Sequence, residues 1–459
     1  MKRKLNEVLI QWKDDPRRKP LVLRGARQVG KSWLVRNFAD AHMHNLLEIN
    51  FEQQPNAADL FSDQMPEKIV SRLELFARQE VIPGKTLLFL DEIQAAPQVF
   101  ACLRYFYEQL PALHVVAAGS LLEFALGETH FPMPVGRIEY LHMGPMSYEE
   151  FLAATDRAQL ADFLATYQIG EELPEAIHDH YMKAFREYLV VGGMPEAVQS
   201  YVDTSSFLKC DQVKQSILST YQEDFGKYGS RINLERLQQV FQKIPQQVGG
   251  KMTYSRIDRN AQARDLRAAM RLLCKARVMY PVHHSHANGV PLGAEIDERK
   301  FKALFLDVGL LCRSCGLSLL DFEEAEDILL VNAGAVCEQF IGQHLLYSRA
   351  FYEEPELHYW SRDKRQSSAE VDYLFTIGRH LVPTEVKAGK TGRLKSLHVF
   401  LKEKKLSFGL RFNADLPSLL DDQASLPNGD YLSYRLLSLP LYMVGLARRL
   451  CRDSIGGAN

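Results

Sequence analysis

Over roughly the first 150 residues, short apolar runs alternate with amphipathic segments, the pattern of βα units wound around a parallel sheet. Pro20–Leu23, Leu46–Asn50, Thr86–Leu90 and His114–Ala118 read as its strands. From about 151 to 285 the periodicity is helical, in long segments of mixed charge with few β-branched runs. After 300, strands return at His358–Trp360, Glu370–Thr376 and Leu381–Val386, preceded by a helix from Asn332 to Tyr347. The stretch His283–Glu298, with His-Ala-Asn-Gly and Pro-Leu-Gly, is the clearest break in the second half. The expected architecture is α/β in three parts, 1–150, 151–298 and 299–459, with no internal repeat or low-complexity tract.

Composition narrows the partners. The chain has 459 residues, more than one core usually organises, and its 46% hydrophobic and 24% charged residues are ordinary globular values. A formal net charge of -2 excludes a chain-wide polyanion binder, so any nucleic-acid surface must be a local patch. The 7 cysteines are odd in number and thinly spread, which suits free thiols in a reducing compartment. Cys312 and Cys315 make a C-x-x-C, but no second Cys/His pair stands at zinc-finger spacing. The N-terminal MKRKLNEVLIQWKDD has no long apolar core or cleavage site, and no apolar run approaches the ~20 residues of a membrane span. A cytoplasmic protein with no membrane partner is expected.

Leu21-Val22-Leu23 leads directly into Gly25-Ala26-Arg27-Gln28-Val29-Gly30-Lys31-Ser32, a complete G-x-x-x-x-G-K-S, and an amphipathic segment follows from Trp33 to Ala39. Strand, loop and helix in that order are the setting in which this motif holds a nucleotide. Backbone N–H groups from Gly25 to Gly30 would curl around the phosphates, with Trp33 in the first turn of a helix whose N-terminus adds its positive end. Lys31 would reach the β/γ-phosphates, and the Ser32 hydroxyl would ligate Mg²⁺. Leu87-Leu88-Phe89-Leu90 then ends in Asp91-Glu92, carboxylates at the ligand-binding end of a parallel strand. Asp91 would hold Mg²⁺, and Glu92 would orient and deprotonate the attacking water. ATP and Mg²⁺ are the expected substrate and cofactor.

These stretches make the chain resemble an AAA-type ATPase of a prokaryotic family whose members carry a C-terminal domain of unknown function with a restriction-endonuclease-like core. Leu90-Asp91-Glu92-Ile93-Gln94, Gly119-Ser120, Gly136-Arg137, Gly192-Gly193-Met194-Pro195-Glu196, Glu370-Val371-Asp372 and Glu385-Val386-Lys387 match as well, so the resemblance spans nearly the whole chain. It implies that Ser120, just after the strand His114–Ala118, contacts the γ-phosphate or the water. Relatives usually have Thr-Gly-Ser where this chain has Ala118-Gly119-Ser120. It also implies that Arg137 is an arginine finger acting on a neighbouring subunit's nucleotide, and hence a homo-oligomer. Arg104, on a helix with Leu103 and Phe106, reads as structural.

Between Leu234 and Val282 the order is helix, link, helix and the strand Val278–Val282, which resembles a winged helix-turn-helix. Arg264, Arg267, Arg271 and Lys275 share one face of the last helix, while Leu266, Met270 and Leu273 share a core-directed face. A basic stripe there fits a major-groove reader, making duplex DNA a candidate partner, although Asp258 and Asp265 dilute it and winged helices also dock proteins. His283, His284 and His286, in a Gly/Pro-rich loop, are expected to face solvent.

Further on, Glu370–Phe375 and Leu381–Lys387 flank Gly378-Arg379, a glycine-first hairpin turn. A turn centred there sets Asp372 opposite Glu385 and Glu370 opposite Lys387, and strict alternation puts all four on one face with Val371, Tyr373 and Val386 on the other. Paired carboxylates beside a lysine suit a divalent metal for phosphodiester hydrolysis, and Asp372, Glu385 and Lys387 form the D…E-x-K core of restriction-endonuclease-like folds. Glu338 matches the helical glutamate such folds add as a further or second-shell metal ligand. Two functions follow: ATP hydrolysis governing the engagement and cutting of DNA, or a nucleotide switch that docks protein partners with inert C-terminal acids.

Overall fold

The computed structural model of the chain describes residues 1–124, 134–227, 234–317, 333–364, 367–390, 392–425 and 431–456. Asn332, the expected start of a C-terminal helix, lies outside them. Two compact units result. One comprises Met1–Gly144, Lys275–Val278 and Ala350–Glu354; the other comprises Pro145–Cys274, Met279–Arg349 and Pro355–Asn459.

In the first unit β1 (Leu21–Arg24), β2 (Asn45–Asn50), β3 (Thr86–Asp91), β4 (His114–Gly119) and β5 (Glu139–His142) form one parallel sheet in the order β2-β3-β4-β1-β5. Every position of β3 and β4 is buried, which is why both read as unbroken apolar runs. Helices α1 (Leu5–Asp14), α2 (Lys31–His42), α3 (Pro66–Ala77) and α4 (Pro97–Gln109) accompany the sheet. Proline begins both α3 and α4, where its missing N–H costs nothing. Phe51, Phe61, Leu88, Leu90, Leu103 and Phe106 pack into one core. Because the strands run parallel, the carboxyl ends of β1, β3 and β4 open on one edge, where the P-loop, Asp91-Glu92 and Ser120 emerge.

The second unit begins with helices. Ser147 starts Tyr148–Ala154 with a capping box to Glu150, so the expected boundary at 150/151 falls inside this helix. The helices Glu175–Val191, Pro195–Thr204 and Phe207–Asp224 follow, then Leu234–Lys243, the short Tyr254–Ile257 and Ala263–Lys275. On Ala263–Lys275 Leu266, Met270 and Leu273 are buried and Arg264, Arg267, Arg271 and Lys275 are exposed, as the spacing predicts.

An eight-stranded mixed sheet completes the unit. Its strands are β6 (Met279–Ser285), β7 (Ile296–Phe305), β8 (His358–Lys364), β9 (Ser367–Ile377), β10 (His380–Val386), β11 (Phe408–Asn413), β12 (Ser418–Ser425) and β13 (Tyr431–Pro440), in the order β12-β13-β11-β10-β9-β8-β6-β7. The boundary expected at 298/299 falls inside β7. His283 and His284 are not loop residues: they lie in β6, paired on both sides, and His284 is buried with Nε2 against the Ser361 carbonyl at 3.1 Å. The helix Ala333–Leu346 is fastened to β7 through Gln339, which accepts from Phe305 N–H at 2.9 Å and donates to Phe305 C=O at 2.7 Å. Among the described residues no helix is long and apolar enough to cross a membrane.

Candidate nucleotide site and a C-terminal carboxylate cluster

The loop from Gly25 to Gly30 turns on two positive φ angles, 62° at Gln28 and 93° at Gly30. A Cβ at Gly25 would collide with the Met143 carbonyl, so only glycine lets the loop leave β1 here. Ala26 and Val29 are buried under the loop, whereas Trp33 is exposed on α2. Lys31 is buried, and its Nζ donates to the carbonyls of Gly25 at 3.0 Å and Ala26 at 2.7 Å, within its own loop. Burial pushes this ammonium down to about 8, with Glu92 and Asp91 opposing. An anion arriving at the loop would have to draw this lysine from those two carbonyls.

Ser32 Oγ donates to Asp91 Oδ2 at 2.9 Å, and Asn50 Nδ2 donates to the same oxygen at 3.3 Å. Burial raises the Asp91 carboxyl above its ordinary range, with the Ser32 bond opposing. A hydroxyl from the first turn of α2 and a carboxylate from the carboxyl end of β3, in contact, form the hard-oxygen donor set Mg²⁺ takes. Glu92 stands in the left-handed region, φ 50°, which swings its carboxylate off the line of β3. Its Oε2 accepts from Gln94 Nε2 at 2.6 Å and from Ser120 Oγ at 3.4 Å. Arg27 Nε donates to Ser120 Oγ at 3.2 Å and its other end pairs with Glu52 at 3.0 Å. Gly119 leaves room beside this set for Gln94, whose Oε1 a Cβ there would displace.

Arg137 is elsewhere. It precedes β5, whose Glu139 pairs with Leu21 at the start of β1, so it sits at the sheet edge away from its own P-loop. Its guanidinium meets Glu108 at 3.1 Å, an acid that Arg104 also holds at 3.0 Å.

In the second unit the hairpin turns on Gly378-Arg379 with Gly378 at φ 57°, and partners run from Ile377↔His380 to Tyr373↔Thr384. Past that pair Asp372 Oδ2 accepts from Val386 N–H at 2.8 Å, and Lys387 Nζ meets Glu385 Oε1 at 2.5 Å. Strict alternation fails on β9. Its register against β8 shifts between Leu374↔His358 and Val371↔Trp360, an extra residue in the strand, and Tyr373 joins the acids' neighbourhood by donating to the Glu338 carbonyl at 2.8 Å.

Lys302 of β7, which sequence reasoning passed over, is the hub. Buried, its Nζ stands 2.5 Å from Glu370, 3.3 Å from Glu338 and 3.5 Å from Asp372. Burial, then the charge of Asp372, pushes Glu338 up to about 8 and Glu385 up to about 7, while the surrounding acids outweigh burial and raise Lys302. Glu385 Oε2 is buried with no hydrogen-bond partner. Among the described residues no three His, Cys, Asp or Glu side chains converge as a ready metal cluster. The acids here do not fit a metal centre as they stand, because an ammonium group lies among them.

Family models match three stretches: an AAA domain at 17–152, a Domain of unknown function (DUF8612) at 182–321 and a Domain of unknown function (DUF4143) at 333–417. Residues 17–152 form a P-loop domain of the AAA type. No curated protein matches the sequence. Among solved structures, a Walker-type ATPase of Pyrococcus abyssi is similar at 15% identity and TM-score 0.42, over 68% of this chain and 95% of that one. The Aeropyrum pernix ORC2 protein is similar at 11% identity and TM-score 0.32, over 70% and 93%. TM-scores below 0.5 are too low to establish a shared architecture.

The first unit holds two residues that motif reading did not reach. Asn50 arrives through the pairing of β2 with β3, which sets it opposite Asp91. Arg3 is buried and donates to Val29 C=O and Gly144 C=O, both at 2.8 Å, bracing the P-loop from beneath. Position in a basic N-terminal tetrapeptide gives no hint of that role. Gln94 lies within the matched Leu90–Gln94 stretch, but only the structure shows it gripping Glu92.

Proposed function

We propose that this chain is a Mg²⁺-dependent ATP hydrolase whose nucleotide state governs engagement of duplex DNA. The convergence of Lys31, Ser32, Asp91, Glu92 and Ser120 on one edge of a parallel sheet carries the reading. Backbone N–H groups from Gly25 to Gly30 and the N-terminus of α2 bind the phosphates. Lys31 leaves its two loop carbonyls for the β/γ-phosphates, and Ser32 with Asp91 would hold the metal. Bound Mg²⁺ supplies neutralisation of the phosphate oxygens. Glu92 takes the proton from the attacking water, and Ser120 orients the water or the γ-phosphate. Gln94 holds Glu92 until nucleotide is in place. Phosphate release by the purified chain with and without Mg²⁺ tests this reading.

Arg137 faces away from its own P-loop, so its service as an arginine finger requires a second copy of the chain. Turnover per chain is then expected to rise with protein concentration, and Arg137→Ala to remove the rise without weakening ATP binding. A monomer fully active at high dilution contradicts this.

The helix Leu234–Lys243, the short Tyr254–Ile257, the helix Ala263–Lys275 and the hairpin β6–β7 follow one another in winged-helix order, which supports the winged-helix reading of the middle region. Exposure of Arg264, Arg267, Arg271 and Lys275 supports phosphate contact. Duplex affinity is expected to fall steeply with salt, and each of these residues changed to Ala to flatten the log–log slope by about 0.9. Binding insensitive to salt favours a protein partner instead. The seven cysteines are free thiols, which supports a cytoplasmic setting.

For the C-terminal sheet we keep the restriction-endonuclease-like reading of Glu338, Asp372, Glu385 and Lys387. One observation, the ammonium of Lys302 among the acids, favours the version that engages a partner without cutting. Plasmid DNA is then expected to survive Mn²⁺ with and without ATP.

A further inference from the structure

The acids of β9, β10 and the helix Ala333–Leu346 form a charged, largely buried group outside the nucleotide site, and the ATPase reading leaves them unused. Glu338, Asp372 and Glu385 are drawn together by elements distant in sequence, and such burial is tolerated only with compensating positive charge. Lys387 answers Glu385 at 2.5 Å. Glu338, Glu370 and Asp372 surround the ammonium of Lys302, at 3.3, 2.5 and 3.5 Å, and Glu370, at the outer side of the group, also stands 4.0 Å from Lys251 Nζ. Lys302 is 2% exposed, and its backbone is fixed in the sheet by the pairing Val282↔Lys302.

We propose that Lys302 supplies from within the chain the positive charge that a divalent ion would otherwise bring to Asp372, Glu385 and Glu338, and thereby keeps the ion out. An ammonium donates hydrogen bonds to the same carboxylate oxygens a metal would take, but it has no open coordination position to polarise a phosphodiester or ionise a water. The unpartnered Oε2 of Glu385 marks the ligand direction left unused. Removing the Lys302 charge therefore turns a charge-balanced core into a divalent-cation site.

Mn²⁺ titration of the nucleotide-free full-length chain, followed by loss of the free-ion EPR signal, reads this directly. Wild type is expected to show no Mn²⁺ site that Asp372→Asn removes. Lys302→Met is expected to gain one, tighter than any wild-type binding by about tenfold or more, and adding Asp372→Asn to it removes the gain. Lys302→Met/Glu370→Gln removes one charge of each sign and is the second variant should the single one fail to fold. A wild-type Mn²⁺ site lost on Asp372→Asn overturns the proposal, as does a folded Lys302 variant that gains no site. The inference rests on the non-cutting reading above. Plasmid cleavage by a wild type that binds no Mn²⁺ at Asp372 overturns that reading alone.

Discussion

Glu92→Gln is expected to bind ATP as tightly as wild type and to lose about 10²–10⁴-fold in turnover, the usual cost of removing a general base. The amide keeps the shape of the side chain but has no site for the proton of the attacking water. Its Oε2 stands free of the phosphate loop, held by Gln94 and Ser120, so the change leaves the binding groups alone. Lys31→Ala should behave in the opposite way and lose binding, because the buried ammonium is the loop's fixed cation. Equilibrium binding of a fluorescent ATP analogue together with single-turnover hydrolysis separates the two. Unchanged turnover in Glu92→Gln removes Glu92 from the mechanism, and lost binding reassigns it to the phosphates.

The second large effect is on stability. Lys302→Met is expected to destabilise the C-terminal half by about 3–5 kcal/mol, the cost of leaving a buried charge uncompensated. Glu338 and Asp372 would then lose the ammonium beside them, while the part-exposed Glu370 would keep Lys251 at 4.0 Å and Glu385 would keep Lys387. Glu370→Gln in the same chain should recover part of the loss, since it removes one of the three acids. Urea unfolding of the full chain, with the transition of this half resolved by its own probe, measures both. A loss below about 1 kcal/mol for Lys302→Met, the scale of an exposed pair, contradicts the buried charge balance.

What the sequence shows plainly are features written locally. The P-loop is a contiguous octapeptide between a strand and a helix, and β3 and β4 are unbroken apolar runs because both their faces are covered. The hairpin β9–β10 is legible because a glycine at positive φ fixes its turn and the turn fixes its register. Lys302 is hidden for the converse reason. In Ile296–Phe305 it is one cation among Arg299, Lys300 and Lys302, and only the passage of β7 from an exposed to a buried half singles it out. Its partners are 36, 68 and 70 residues away, at Glu338, Glu370 and Asp372.

Other misreadings have equally physical causes. The histidines of β6 look like loop residues because Gly289 and Pro291 follow closely, yet the strand is interior to the sheet and buries His284. Tyr373 obeys alternation on paper, but the extra residue in β9 moves it next to Glu338. Gly192-Gly193, matched by resemblance, proves structural. Gly192 has φ 81°, a Cβ there would strike Asp307, and Gly193 N–H donates to the same carboxylate at 2.7 Å.

The most direct test of the central claim is release of labelled phosphate from γ-labelled ATP by the purified full-length chain, with Mg²⁺ and with chelator, in wild type and Lys31→Ala. Mg²⁺-dependent release is expected from wild type, and none above background from Lys31→Ala. Release that persists in chelator, equal release by Lys31→Ala, or no release by a wild type that binds ATP would contradict the claim.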